Sequence, residues 1–202
     1  RAPDINEMDA DVHSLHETGD PVPRRGQLSP HRVLALALTV QIIIDWLPAT
    51  IEGLDAARDE ILFASYLLRS APIVMALCRA LNRGVAVYVM LDRNKQFHPE
   101  SADRNRVQRY YNMLRDAGAH IILTDGREDP KRPGTQTGIF HPKLLLIDRK
   151  VVWIGSHNAT TSAAYHNTEL PVRMWGSRSV AKKFRDYYIS KWREARRLCK
   201  TS

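Results

Sequence analysis

At 202 residues the chain is long enough for one domain of ordinary size whose core needs no covalent staples. Hydrophobic residues at 44% and charged residues at 26% exclude the intrinsically disordered class. The formal net charge is +8, yet residues 1–20 hold six acids against Arg1 alone, so the rest of the chain is 13 charges positive. A body that basic suits a polyanionic partner, either nucleic acid or an anionic membrane surface. The cysteines, Cys78 and Cys199, lie far apart and lack the spacing of a zinc or redox centre, so no metal or other cofactor is expected from them. Cys78 reads as a small core hydrophobe.

Residues 1–31 are acidic and broken by Pro21, Pro23 and Pro30, and read as a flexible arm before a single domain over 32–202. The longest apolar run, Val33–Leu47 (VLALALTVQIIIDWL), contains Gln41 and Asp45, is too short and polar to span a bilayer, and reads as core. It leaves the compartment open between cytoplasmic and exported. From there strands and helices alternate. Val40–Asp45 is a strand candidate and Ile51–Arg58 a helix opened by Thr50. Glu60–Leu67 is a strand, and Ala71–Asn82 a helix with Ser70 as its cap and Gly84 at its end. Val85–Leu91 (VAVYVML) suits a strand buried on both faces. Asp103–Ala117 is a polar helix stopped by Gly118, and Ala119–Thr124 another strand.

Residues 125–139 form a loop rich in Gly, Pro and charge, whose Lys131 and Arg132 are candidate contacts for substrate phosphates. Lys143–Ile147 and Val151–Ile154 follow as strands joined by a tight turn, then a strand at Glu169–Met174. A long helix over 177–198 closes the chain. In it Val180, Phe184, Tyr188 and Trp192 recur as one apolar stripe, leaving Lys182, Lys183, Arg185, Arg193, Arg196, Arg197 and Lys200 mostly toward solvent. The βα alternation defines an α/β domain.

His141 and Lys143 are two apart on a predicted strand and therefore share a face. Ser156 and Asn158 share the same spacing just past the next strand. An imidazole can attack an electrophile, while a lysine with two small polar side chains can hold an anion. Glu169 can accept a hydrogen bond from the imidazole. The histidines lack metalloprotease spacing and no carboxylate cluster accompanies them, so substitution at phosphorus without a metal is the chemistry implied.

These residues carry a resemblance. His141, Lys143 and Asp148 form H-x-K-x(4)-D, followed by Gly155-Ser156-His157-Asn158 and Glu169, and the whole resembles the HKD motif of the phospholipase D superfamily. IEGLDAARDEILFASYLL and ALNRGVAVYVMLD are similar to the family's upstream elements, so the likeness covers roughly residues 40–198. It is most like the small single-motif bacterial endonucleases. The resemblance implies a mixed β-sheet flanked by helices on both faces and a phosphohistidine formed on His141. Lys143, Ser156 and Asn158 would hold the phosphate oxygens and Glu169 would orient the imidazole. Asp148 belongs to the catalytic motif but reads as structural, tying its ends together. The family uses two motifs per site and this chain has one, which implies a homodimer with a composite site. His157 and His166 are further candidates for substrate contact. A lipid phosphodiesterase and a non-catalytic binding dimer are the rival readings.

Overall fold

The computed structural model describes residues 38–98 and 102–199. The expected arm at 1–31 lies outside them. Seven strands form one mixed sheet: β1 (Thr39–Ile42), β2 (Glu60–Ser65), β3 (Ala86–Asp92), β4 (His120–Thr124), β7 (Lys143–Ile147), β8 (Val151–Ile154) and β9 (Val172–Trp175). Their order across the sheet is β1-β9-β8-β7-β2-β3-β4. β2, β3 and β4 run parallel, whereas every pair from β2 through β7, β8 and β9 to β1 is antiparallel. A two-stranded ribbon, β5 (Arg127–Glu128) with β6 (Gln136–Thr137), stands apart.

The period of two in the central strands sends alternate apolar side chains to two helical layers. Ile61, Phe63, Val87, Val89, Leu91, Leu145, Ile147 and Trp153 pack with buried residues of α1 (Trp46–Ala56), α2 (Ala71–Asn82) and α4 (Arg104–Asp116). Leu62, Ala64, Tyr88, Met90, Leu144, Leu146 and Val152 pack instead on α6 (Arg178–Cys199) through Ala181, Tyr188, Ile189, Trp192 and Ala195. The predicted helices on both faces of a mixed sheet are therefore present. Two short helices, α3 (Arg93–Gln96) and α5 (Thr161–Tyr165), complete the described chain.

Several expectations need correction. The run through residues 38–44 is not core: Leu38, Val40, Ile42 and Ile44 are exposed, Ile44 at 98%, and only Ile43, Trp46 and Leu47 turn inward. β1 is the last strand at its side of the sheet, beyond the reach of both helical layers, and all four of its residues are exposed. α1 starts at Trp46 rather than near Ile51, because Pro48 falls in its first turn, where a missing N–H costs nothing. β9 begins at Val172, three residues later than expected, after Pro171, whose carbonyl accepts the Ile43 N–H at 3.0 Å. Cys78 is a free, half-buried thiol in the first core cluster. Arg185 is buried, its guanidinium forming two 2.9 Å bonds to the carboxylate of Glu60, which is itself only 6% exposed.

Asp148 sits at the far end of β7 from His141, in a turn closed by the Lys150 N–H on the Ile147 carbonyl. Both Asp148 and Arg149 have positive φ, as a primed hairpin turn requires, and aspartate tolerates that region better than most residues. Its carboxylate accepts the backbone N–H groups of Arg58, Asp59 and Glu60 at 2.8–3.2 Å, pinning the α1–β2 connection to the hairpin. Asp148→Ala therefore costs about 2 kcal/mol of unfolding free energy by urea titration, from lost charge-assisted bonds and a strained alanine, while kcat of the folded fraction is unchanged. A large fall in kcat would give Asp148 a part in the reaction.

Candidate active site

Sheet topology alone explains why the candidate residues meet. β7 runs opposite to β2 and β8, so the start of β7, the ends of β2, β3 and β8, and the approach to β9 all lie at one edge. Lys143 opens β7 and His141 lies two residues before the strand rather than on it, Ser156 to Asn158 follow β8, and Glu169 precedes β9.

The Lys143 Nζ lies 2.9 Å from both ring nitrogens of His141 and donates to the His141 carbonyl at 2.9 Å. Burial depresses the Lys143 ammonium below its ordinary range, with Glu169 opposing. Burial and then the Lys143 charge also lower the pKa of His141, against the pull of Asp92. The imidazole is therefore held in the neutral, nucleophilic form near pH 7.

Glu169 does not bond the imidazole. The Ser156 hydroxyl donates to its Oε2 at 2.5 Å and the Asn167 carboxamide to its Oε1 at 3.1 Å, while Ser156 Oγ accepts the Leu170 N–H at 3.0 Å. In this structure the glutamate ties the loop after β8 to the loop before β9, and its charge acts on Lys143 through space. Gly155 makes that approach possible: a Cβ there would stand 2.5 Å from the Leu170 carbonyl oxygen and 2.7 Å from His157 Nδ1. Any side chain would push the two loops apart.

Two contributors escape the sequence reading. Tyr66, just past β2, places its ring 4.8 Å from the His141 ring and 5.5 Å from Lys143 Nζ, backing both groups. Asp92 ends β3 in a buried position and accepts the Phe140 N–H at 2.7 Å and the Lys95 N–H at 2.8 Å, fixing the backbone one residue before His141. The signal for Asp92 was a carboxylate closing an apolar strand. For Tyr66 there was none beyond its place after β2.

The weaker candidates fare differently. Lys131 and Arg132 are exposed in the β5–β6 ribbon, where Arg132 pairs with Asp129 at 2.8 Å, and neither bonds a residue of the site. Ion pairs of Glu128 with Arg197 hold the ribbon against α6. His166 is exposed at the end of α5. His157 is no surface contact: its ring lies 4.4 Å from that of Trp46, and burial lowers its pKa to about 4, with Glu169 opposing and Lys143 assisting. It is neutral in the fold. As pH falls below about 6.5 the unfolded chain gains a proton that the fold refuses, so stability drops until the folded pKa near 4 is reached. That loss is about 3 kcal/mol, and a His157→Gln variant removes it from the pH dependence of urea unfolding. An unchanged slope would place the acid sensitivity elsewhere.

Among the described residues no group of three or more His, Cys, Asp or Glu is placed to hold a metal ion. Nor is any described helix long and apolar enough to cross a membrane.

The structure is thus an α/β domain whose helix-flanked mixed sheet brings an imidazole, an ammonium, a hydroxyl and a carboxamide to one edge. The comparisons with known proteins agree: residues 50–192 match the family described as "Cardiolipin synthase, PLD-like domain", and the chain belongs to it. It is 30% identical over 116 residues to a phospholipase D of Rickettsia conorii, covering 57% of this chain and 49% of that protein. The chain thus spans about half the length of that curated relative. Among solved structures, NucT from Helicobacter pylori superposes with a TM-score of 0.62 at 21% identity, covering 78% of this chain and 96% of the other. The phospholipase D family member Nuc from Salmonella typhimurium gives 0.63 at 21% identity, covering 78% and 95%. These two show the shared fold.

Proposed function

We propose that this domain is a phosphodiesterase that cleaves DNA or RNA without a metal, using a composite site formed by two copies of the chain. The observation that carries the reading is the His141–Lys143 pair at 2.9 Å, at the sheet edge to which β8 also delivers the loop of Ser156 and Asn158. A neutral His141 nitrogen attacks phosphorus, forming a P–N bond as the P–O bond to the leaving group breaks. The same histidine of a second copy, whose protonated form the negative charge of the bound phosphodiester favours, gives its proton to the departing oxygen. It then takes a proton from water, which attacks the phosphohistidine and frees His141. Lys143 and Asn158 stabilise the charge on the non-bridging oxygens, and Ser156 with Glu169 holds their loop in place.

Nucleic acid is favoured by the strong positive charge of the chain beyond residue 20, which would track a phosphate backbone. A second reading, hydrolysis of phosphatidyl lipids, has its own support in the exposed apolar edge of Val40, Ile42, Ile44 and Leu170 and in the phospholipase D relative. The deciding assay offers single- and double-stranded DNA, RNA, and phosphatidylcholine or cardiolipin vesicles in excess EDTA. EDTA-resistant cleavage of nucleic acid is expected. Cleavage confined to the vesicles transfers the same chemistry to lipid, and no cleavage at all sinks the enzyme reading in favour of a binding dimer.

A further inference from the structure

Beside the catalytic edge lies a cavity of about 300 Å³ lined by Leu67, Arg69, Asp103, Arg106, Asn158, Asn167 and three hydroxyl residues that follow Asn158 and Ala159. It shares Asn158 with the phosphate-holding set and Asn167 with the carboxylate brace of Glu169. Two of its lining side chains are incompletely satisfied: Arg69 Nε and Asn158 Oδ1 are buried with no hydrogen-bond partner. Both atoms are closed off from solvent, so what the cavity offers a ligand from Arg69 is the rest of its side chain, which is 22% exposed. Arg69 is otherwise engaged with the Lys95 carbonyl at 3.3 Å and with Asp103 at 3.8 Å, and Arg106 pairs with Asp103 at 2.8 Å. Two guanidinium groups against one carboxylate leave the cavity net positive.

We infer that this cavity is a second phosphate site, in which Arg69 and Arg106 hold the phosphate adjacent to the scissile one along a nucleic-acid strand. The inference rests on the nucleic-acid reading and deepens it. A cavity of this size takes a phosphate with its attached sugar. The forked guanidinium groups of Arg69 and Arg106 suit phosphate oxygens. The arrangement makes binding depend on a substrate with at least two phosphates in sequence, while the chemistry at His141 needs only one.

The test compares wild type with Arg106→Gln and Arg69→Lys, the second keeping the charge while removing the fork. Each is assayed on a single-stranded oligonucleotide, on cardiolipin vesicles, and on bis(4-nitrophenyl) phosphate, which carries one phosphodiester and no neighbour. The expected result is an oligonucleotide KM raised about tenfold for Arg106→Gln with kcat unchanged, and turnover of the small diester unaffected. The slope of log KM against log salt should also fall by about one for that variant, which a merely structural role would not produce. Equal losses on the oligonucleotide and the small diester, or an unchanged oligonucleotide KM and salt slope, overturn the second site while leaving the nuclease reading intact. A wild type that turns over the small diester but no oligonucleotide sinks the nuclease reading itself. A KM effect of Arg106→Gln seen only on cardiolipin vesicles reassigns the cavity to a lipid phosphate and overturns the inference as stated.

Discussion

A His141→Asn variant loses phosphodiester turnover by about 10⁴-fold or more, with unfolding free energy close to wild type. Removing a nucleophile that acts as a unit with its partners forfeits nearly the whole chemical acceleration, whereas an exposed ring just before β7 contributes little to the core. Asparagine keeps polarity and bulk, so Lys143 retains a nearby acceptor. The variant also tests the composite site. When wild-type and variant chains are co-refolded, a site that needs a histidine from each of two copies survives only in dimers with two intact chains. Activity then falls as the square of the wild-type fraction. A linear decline would mean that each chain works alone, and the dimeric mechanism would be wrong even if His141 is the nucleophile. The pH profile supplies a third check: with the His141 pKa lowered by burial and Lys143, the ascending limb of kcat/KM lies below the ordinary imidazole value.

Breaking the Glu60–Arg185 pair is the change with the largest expected effect on stability. Glu60 opens β2 at 6% exposure and Arg185 lies on the inner face of α6 at 9%, joined by two 2.9 Å bonds, with Arg149 3.6 Å away on the outer side. Glu60→Ala leaves a buried guanidinium without its counter-charge and costs about 3–5 kcal/mol, which for a chain of this size lowers Tm by roughly 10 °C. Replacing both residues, Glu60→Leu with Arg185→Met, recovers most of that loss, because the double change removes the uncompensated charge and keeps the volume. The measurement is a double-mutant cycle by urea unfolding. Single losses below about 1 kcal/mol would show that water reaches the pair and that it behaves as a surface contact.

How legible the molecule was depends on the kind of signal. Val85–Leu91 announced a strand buried on both faces, and β3 is one, because continuous β-branched residues satisfy a sheet covered by helices on each side. The stripe of Phe184, Tyr188 and Trp192 placed α6 correctly, since a 3.6-residue period has one apolar solution. The same pattern misled at Arg185, one position off the stripe and apparently solvated. Its burial depends on Glu60, 125 residues earlier, and no local pattern carries that. The run at 38–44 failed for a related reason: apolar content says that a strand forms but not whether it will be central or at an edge.

By itself, then, the sequence determined the reactive groups and their local faces. The spacing of two puts His141 beside Lys143, and the same spacing sets Ser156 with Asn158 just past the next strand. Tertiary structure decided who touches whom. The antiparallel course of β7 and β8 gathers the start of one with the end of the other and sends Asp148 to the opposite edge, where it accepts three backbone N–H groups. It turns Glu169 to Ser156 rather than to His141, packs the His157 ring against Trp46, and opens the Arg69–Arg106 cavity beside Asn158. Side-chain periodicity is a property of neighbours along the chain, but pairing across strands and loops is set by the whole sheet.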